Sequence, residues 1–198
     1  MRLNPQDQYD LPFWSLCLEP APVMRSTPLK IPGAFVVEPD AIEDDRGFFA
    51  LMWSPEEAAR LGLNPRLEQA SLSYNRIKGT VRGMHYQAEP HAEAKLVRCQ
   101  VGAIFDVVLD LRRDSPTYLR WDGATISAED RRMIYIPEGC AHGFQTLTDS
   151  AEVFYLLSKG FAPACARGVR WDDPAFAIRW PGPVTCISDR DLAFPNWG

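Results

Sequence analysis

Residues 95–113 read KLVRCQVGAIFDVVLDLRR, two runs rich in branched and aromatic side chains on either side of one glycine. Every second residue of 103–111 is apolar, whereas Asp106 and Asp110 fall on the opposite face. Alternation with a period of two is typical of a β-strand, because successive side chains point to opposite faces of the sheet. This stretch therefore predicts two strands, one of them with a clear apolar face.

Short runs of the same kind recur along most of the chain. Six more of them carry branched or aromatic residues: FVVEP (35–39), FFALMW (48–53), LSYN (72–75), RMIYIP (132–137), GFQTLT (143–148) and AEVFYLLS (151–158). Many short, evenly spaced strands favour an antiparallel sandwich or barrel. The prediction is an all-β fold of the jelly-roll type with a few short helices.

One helix is clearly predicted, in SPEEAARLG (54–62). Ser54 is suited to cap it, Pro55 to occupy the first turn, and Glu57 stands at capping-box spacing. Gly62 follows at the position where a helix commonly ends.

The chain of 198 residues is long enough for one domain with a sizeable core. Residues 1–30 hold several prolines and show no sustained period, which predicts an extended N-terminal arm ahead of a single domain over 31–198. Phe13, Trp14 and Leu16 of this arm are candidates to dock on a neighbouring surface.

The net charge of −5 argues against nucleic acid as the main partner. An acidic protein that binds a phosphate-bearing ligand needs a local cluster of arginines. No apolar run has the length to span a bilayer, and the first residues lack the order of a signal peptide, so a cytoplasmic location is expected.

The five cysteines are irregularly spaced and include no C-x-x-C pair, at Cys17, Cys99, Cys140, Cys165 and Cys186. Neither a zinc knuckle nor a disulfide framework is indicated. We expect buried free thiols that pack as small apolar residues.

Residues 79–101, GTVRGMHYQAEPHAEAKLVRCQV, carry the residue types of a reactive site. Arg82, His85 and Lys95 suit the binding of a polyanion, the removal of a proton beside a carbonyl and the stabilisation of the resulting enolate. A lone histidine is more often structural, so His85 gains weight only from the segments that accompany it.

One such segment is PEGCAH (137–142), whose spacing P-x-G-x-x-H resembles the second motif of cupins, where a turn places a histidine inside a jelly-roll barrel. A metal-binding cupin normally shows H-x-H and an acidic or amide ligand in its first motif. Here His85 is followed by Tyr86, and His91 comes six residues after His85 without an acidic ligand at the right offset. A bound transition metal is therefore not expected.

Seven ordered segments together resemble the dTDP-4-dehydrorhamnose 3,5-epimerase family of cupins, over about residues 31–195. They are DDRGFF (44–49), TVRGMHYQ (80–87), AKLVRCQVGAIFDVVLDLRRDSPT (94–117), IPEGCAHGF (136–144), AEVFY (151–155), RGVRWDDP (167–174) and SDRD (188–191). The resemblance implies inversion of C3 and C5 of a dTDP-linked 4-keto-6-deoxyhexose, on the pathway to dTDP-L-rhamnose or a related deoxysugar. It also implies that no metal or redox cofactor is used.

The resemblance assigns the acid–base chemistry to four residues. His85 matches the base, and Asp191 matches the carboxylate that orients it. Tyr155 matches the proton donor on the opposite face of the sugar. Lys95 matches the cation beside the developing enolate, which an ammonium group stabilises.

The resemblance also implies a set of substrate contacts. Arg46 and Arg82 match arginines that grip the nucleotide diphosphate, and Phe49 and Gln69 match contacts to the base. The remaining contacts fall on His142, a polar neighbour of the sugar, and Phe161, which keeps a ring for stacking. In the family, the strand with Arg46 and Phe49 reaches into the partner's site, which implies a homodimer.

Structural interpretations compete with these roles. His85 and His142 also fit core histidines, and Tyr155 fits a core aromatic in an apolar strand. Asp172 and Asp173 fit turn residues ahead of Pro174 better than a carboxylate pair.

The chain departs from the family pattern at several positions near the site. Leu156, Gly160 and Phe161 replace a lysine and two adjacent tyrosines after the catalytic-type tyrosine. Leu51 replaces a glutamate, and Ser71 stands where asparagine is common. These changes favour an active enzyme with altered selectivity.

Three other functions stay open on the sequence. One is epimerisation at C3 or C5 alone, on another nucleotide-linked 4-keto-6-deoxy sugar. The second is a non-catalytic cupin that binds a nucleotide sugar, and the third is a metal-dependent cupin oxygenase or isomerase.

Overall fold

The computed structural model describes residues 23–198, so Phe13, Trp14, Leu16 and Cys17 lie outside the described residues. The strands are β1 Met24–Pro28, β2 Phe35–Pro39, β3 Ala41–Asp44, β4 Gly47–Ala50, β5 Gln69–Asn75, β6 Val81–Gln87, β7 Lys95–Val101, β8 Ala103–Asp110, β9 Trp121–Ser127, β10 Met133–Ile136, β11 Cys140–Thr146, β12 Ala151–Leu157 and β13 Ala166–Gly168. The helices are α1 Pro55–Arg60 and α2 Asp189–Leu192.

Two antiparallel sheets enclose the main core. One has six strands in the order β1-β2-β10-β7-β12-β5, and the other has five in the order β13-β6-β11-β8-β9. Val97 and Ile134 of the first sheet and Ile104 and Phe144 of the second belong to one buried cluster. Branched and aromatic side chains on alternate positions supply this cluster, as a sandwich with two inner faces requires. The predicted all-β jelly-roll fold is confirmed.

Strand β8 is buried on both faces. Ile104 and Val108 point into the barrel, and Val107 and Leu109 pack on the outer side of the same sheet. The outer residues contact a second cluster that includes Phe176 of the C-terminal segment. Because this segment covers the outer face, the strand is buried on both sides despite its alternating pattern.

The two aspartates of β8 are fully buried. Burial alone raises the pKa of Asp110, but hydrogen bonds from Arg112, Ser115 and Thr117 outweigh it and hold that pKa below its usual range. Asp110 therefore anchors the turn that follows β8. Asp106 instead pairs with His142.

The predicted N-terminal arm is wrong for its last part, because residues 24–28 form β1 and pair with β2 along their whole length. Helix α1 accounts for the position of β1, because a carboxylate of the helix binds the first residue of that strand. Ser54 caps it, accepting a hydrogen bond from Glu57 N at 3.1 Å, as predicted. The Glu57 carboxylate then accepts from Met24 N at 3.0 Å and fastens β1 to the helix. Hydrogen bonds from Arg60 and then Met24 lower the pKa of Glu57 to about 2.

Two further expectations need correction. Strand β4 ends at Ala50 rather than at residue 53, because Met52 and Trp53 turn away to pack on the cluster around α1. The thiols are not uniformly buried, since Cys186 is exposed on a segment that flanks the barrel.

The other described thiols differ in environment. Cys165 is half-buried, whereas Cys99 and Cys140 are buried. Burial raises the pKa of Cys99 to about 11 and that of Cys140 to about 12.

Within residues 23–198, no helix has the length and apolarity needed to cross a membrane.

Ile134→Ala is expected to lower the free energy of unfolding by about 2–5 kcal/mol, because Ile134 is fully buried between the sheets and its loss leaves a cavity. Ile77→Ala is the matched control, since Ile77 is 51% exposed, and its effect is expected to stay within about 0.5 kcal/mol. Urea unfolding of both variants checks this, and equal destabilisation would contradict the packing described.

Candidate active site

His85 and Asp191 form a hydrogen-bonded pair at the mouth of the barrel. His85 Nε2 lies 2.7 Å from Asp191 Oδ1, and Asp191 Oδ2 accepts from Gly83 N at 3.2 Å. Asp191 lies in α2, whose first turn is fixed by the hydrogen bond from Asp191 N to Ser188 Oγ at 3.2 Å. The C-terminal helix thus carries the carboxylate to β6.

The carboxylate of this pair is ionised at neutral pH. Burial raises the pKa of Asp191, but the hydrogen bonds from His85 and Gly83 outweigh it, so the pKa lies below its usual range. An ionised carboxylate on Nε2 fixes the orientation of the imidazole and leaves Nδ1 to accept a proton. The His85 side chain is 37% exposed, so a ligand can reach it.

A second histidine–aspartate pair lies deeper in the barrel. His142 Nε2 is 2.8 Å from Asp106 Oδ2, and both residues are buried. Burial raises the pKa of Asp106, and the interaction with His142, which includes a hydrogen bond, and the charge of Lys95 act against this. Among the described residues, Asp106 Oδ1 has no hydrogen-bond partner. The P-x-G-x-x-H motif located His142, but no sequence signal linked it to Asp106.

The phenol of Tyr155 lies in the same interior. Its ring centroid is 6.2 Å from that of His142, in an edge-to-face arrangement, and its hydroxyl is 3.0 Å from Ser73 Oγ. Burial raises the pKa of Tyr155 well above its usual range, although the hydrogen bond with Ser73 and the charge of Arg82 act in the opposite direction. The phenol is therefore protonated at neutral pH and able to donate.

Strand register and packing connect the imidazole of His85 to the phenol of Tyr155 through His142. His142 of β11 stands directly opposite His85 of β6, and directly opposed residues project from the same face of a sheet. His142 in turn packs against Tyr155, which contacts the interior cluster from the other sheet. Both side chains thus point into the same barrel.

Lys95 lies beside His85. Its Nζ is 3.2 Å from Glu93 Oε1 and donates to the His85 carbonyl oxygen at 3.2 Å. Lys95 and His85 line one cavity of about 170 Å³ together with Phe161. An ammonium group carries three N–H donors, so one remains for a ligand in this cavity.

His85 also borders a larger cavity of about 320 Å³, whose lining includes Arg82, Arg190 and Asp191. Arg167 and Arg190 line the smaller cavity. A cluster of cations thus surrounds the histidine in a chain whose net charge is −5. Arg167 and Arg190 lie within the quoted RGVRWDDP and SDRD segments, but their residue types alone did not mark them as site residues.

Three of the predicted substrate contacts lie outside the cavities beside His85: Arg46 and Phe49 lie apart from them, and Gln69 lies at the rim of the smaller one. Arg46 pairs with Asp44, and Phe49 is 61% exposed on the β3–β4 hairpin. In the described part of the chain, neither lines a cavity beside His85. Gln69 Oε1 accepts from Phe161 N at 2.9 Å, which places its amide at the rim of the smaller cavity.

The aspartates of WDDP differ in burial, and Asp173 is a structural residue. Its Oδ1 accepts from Ala175 N at 2.8 Å, and its Oδ2 accepts from Trp197 N. This agrees with the turn interpretation. Residues 23–198 hold no group of three or more His, Cys, Asp or Glu side chains arranged to bind a metal ion.

Residues 28–198 match the family model of dTDP-4-dehydrorhamnose 3,5-epimerase. The chain belongs to the dTDP-4-dehydrorhamnose 3,5-epimerase family. A Shigella flexneri protein of that name is 42% identical over 166 residues, covering 82% of this chain and 90% of the relative. A Streptomyces niveus protein named dTDP-4-dehydrorhamnose 3-epimerase is 41% identical, covering 85% of this chain and 81% of the relative.

A solved structure of the Bacillus anthracis dTDP-4-dehydrorhamnose 3,5-epimerase, with TDP and PPi bound, is also similar. Its TM-score is 0.85 at 36% identity, covering 88% of this chain and all of that one. The sequence-based recognition of the family is thereby confirmed, as is its class as an isomerase.

Asp191→Asn is expected to flatten the pH dependence of stability below about pH 4. A carboxyl whose pKa is lowered by folding stabilises the protein above its unfolded pKa, near 3.8, and this contribution is lost as the pH falls through the folded pKa. Urea unfolding at pH 7, 5 and 3 measures it. Asp189→Asn, at an exposed position in α2, is the control and should show the wild-type dependence of the free energy of unfolding on pH. If Asp191→Asn also showed the wild-type dependence, the lowered pKa assigned to Asp191 would be contradicted.

Proposed function

We propose that this enzyme inverts C3 and C5 of a dTDP-linked 4-keto-6-deoxyhexose by removing and returning protons, in the synthesis of dTDP-L-rhamnose or a related deoxysugar. The observation that carries the proposal is the shared interior of the His85–Asp191 pair and the Tyr155 phenol. Membership of the epimerase family supports the same reaction.

The residues fit each step of this chemistry. The C4 ketone acidifies the neighbouring C–H bonds, and His85 Nδ1 accepts the proton from carbon while Asp191 stabilises the imidazolium. The electrons of the broken C–H bond form the enolate, whose oxygen is stabilised by Lys95. Tyr155 then donates a proton to carbon from the opposite side, which inverts the centre. Solvent restores the phenol proton and removes the one held by His85.

The cations around the larger cavity suit the nucleotide diphosphate. A guanidinium presents several N–H donors in the geometry of phosphate oxygens, and Arg82 lies beside His85. The relative with TDP and PPi bound supports a thymidine diphosphate ligand for this chain. The expectation that neither metal nor redox cofactor takes part stays a prediction.

A homodimer completes the proposed site. Phe48 and Phe49 on the β3–β4 hairpin are 49% and 61% exposed, and Leu72 and Tyr74 on β5 are 56% and 50% exposed. Exposed apolar groups on a hairpin and a sheet edge are typical of a protein interface. We infer that the hairpin carries Arg46 and Phe49 to the partner's nucleotide, with exchange of strands between subunits.

Epimerisation at a single carbon remains the second candidate. The relatives named 3,5-epimerase and 3-epimerase are 42% and 41% identical to this chain, so overall identity does not separate the two activities. Leu156, Gly160 and Phe161, which depart from the family pattern, lie within six residues after Tyr155. A non-catalytic binding protein is less well supported, because binding alone does not require a buried acid facing a paired base.

We also propose a cytoplasmic location, where the thiols Cys99, Cys140, Cys165 and Cys186 would stay reduced.

Turnover of dTDP-4-keto-6-deoxyglucose in D₂O tests the reaction by mass spectrometry. Two deuterons in the product are expected for inversion at C3 and C5, and one for the single-carbon alternative. His85→Asn is expected to lower the exchange rate by about 10²–10⁴-fold, because it removes the base while keeping a similar shape. The exposed His91→Asn is the matched control. Unchanged exchange in His85→Asn would refute the proposed mechanism.

Leu72→Asp is expected to convert the dimer into monomers, because it places a charge in the exposed apolar face of β5. Val23→Asp serves as the control, since Val23 is 41% exposed beside β1 at the other edge of the sheet. Light scattering at equal concentration measures both masses. A dimeric Leu72→Asp variant would place the interface elsewhere.

A further inference from the structure

Strand β5 holds the guanidinium of Arg82 through two hydrogen bonds. Arg82 Nε donates to Asn75 Oδ1 at 2.7 Å, and Arg82 Nη2 donates to the Tyr74 carbonyl oxygen at 3.3 Å. These two bonds engage one edge of the guanidinium. Three of its five N–H groups remain for a ligand in the cavity that Arg82 shares with His85.

The orientation of the Asn75 amide is fully determined. Asn75 is 2% exposed, and its Nδ2 donates to the Ala151 carbonyl oxygen at 3.1 Å. A carbonyl only accepts and a guanidinium only donates, so a flipped amide would lose both hydrogen bonds. The side chain therefore presents its oxygen to Arg82 in a single orientation.

Arg82 is oriented by the neutral amide of Asn75, whereas many arginines in the described residues are oriented by a carboxylate. Six others form ion pairs with carboxylates: Arg25, Arg46, Arg60, Arg112, Arg132 and Arg170. A carboxylate compensates the charge that it orients, whereas an amide oxygen does not. Arg82 thus combines a fixed position with a charge that no carboxylate of the described residues pairs directly.

We propose that Asn75 is a positioning residue that aims Arg82 at the diphosphate of the ligand while leaving its charge available. This rests on the proposed function, which supplies the anionic ligand. Asn75 makes no contact with the reacting atoms in this scheme, so it acts on nucleotide affinity rather than on proton transfer.

Asn75→Asp is the decisive variant, because it keeps the size of the side chain and the oxygen that accepts from Arg82, and replaces the amide that donates to the Ala151 carbonyl by a charged oxygen. The dissociation constant for dTDP, measured by calorimetry, is expected to rise about tenfold. Asn196→Asp adds the same charge at an exposed position and should bind like the wild type.

Asn75→Ala tests the positioning directly and decides the matter if the aspartate variant fails to fold. It is expected to raise KM several-fold and to leave kcat within about threefold, since the lost hydrogen bond orients a binding group. A thermal melt verifies folding of each variant. If Asn75→Ala lowered kcat and left KM unchanged, the proposal would be overturned. The same holds if Asn75→Asp bound dTDP as tightly as Asn196→Asp does.

The two proposals fail in different ways. A wild-type protein that does not bind dTDP and does not exchange protons refutes the proposed function and this inference with it. A wild type that does both, with an Asn75→Asp variant of unchanged affinity, refutes only the role of Asn75.

Discussion

The carboxylate of Asp191 joins the end of the chain to the strand that carries the base. It accepts from the Gly83 backbone and from His85 at once, so one group both docks helix α2 and orients the imidazole. The preceding C-terminal segment covers the outer face of the five-stranded sheet, which buries β8 on both sides. The docking of the C-terminal segment and the orientation of the His85 imidazole therefore depend on the same carboxylate, that of Asp191.

The two histidine–aspartate pairs are chemically alike and differ in depth. Asp191 is stabilised as an anion by its donors, whereas burial raises the pKa of Asp106. The His85 side chain reaches solvent and the His142 side chain does not. The outer pair thus suits proton exchange with a substrate and the inner pair suits holding the wall against which Tyr155 packs.

Sequence patterns located the strands whose side chains alternate strongly or run continuously apolar. β7 and β12 were predicted nearly to their ends, and the cap of α1 was predicted from Ser54, whereas the Glu57 carboxylate binds Met24 N instead of completing a capping box. β1 and β9 were missed because MRSTP and WDGATIS lack such a pattern, and the order of strands depends on contacts between distant residues.

The same limit applies to the site. Family motifs selected His85, Asp191, Tyr155 and Lys95, and the structure brings them to the barrel and its mouth. The roles of Asp106 and Ser73 follow only from contacts between strands far apart in the chain, and that of Asn75 from a contact between the consecutive strands β5 and β6 that no motif marked. In the described part of the chain, Arg46 and Phe49 lie away from the two cavities that border His85, a separation that sequence spacing does not reveal.

Strand β5 faces two environments. Its inner side chains hold the phenol of Tyr155 and the guanidinium of Arg82, and its outer side chains Leu72 and Tyr74 are exposed. The backbone carbonyl of Tyr74 itself accepts from Arg82. The thickness of one strand therefore separates the exposed side chains of Leu72 and Tyr74 from the groups that hold Tyr155 and Arg82.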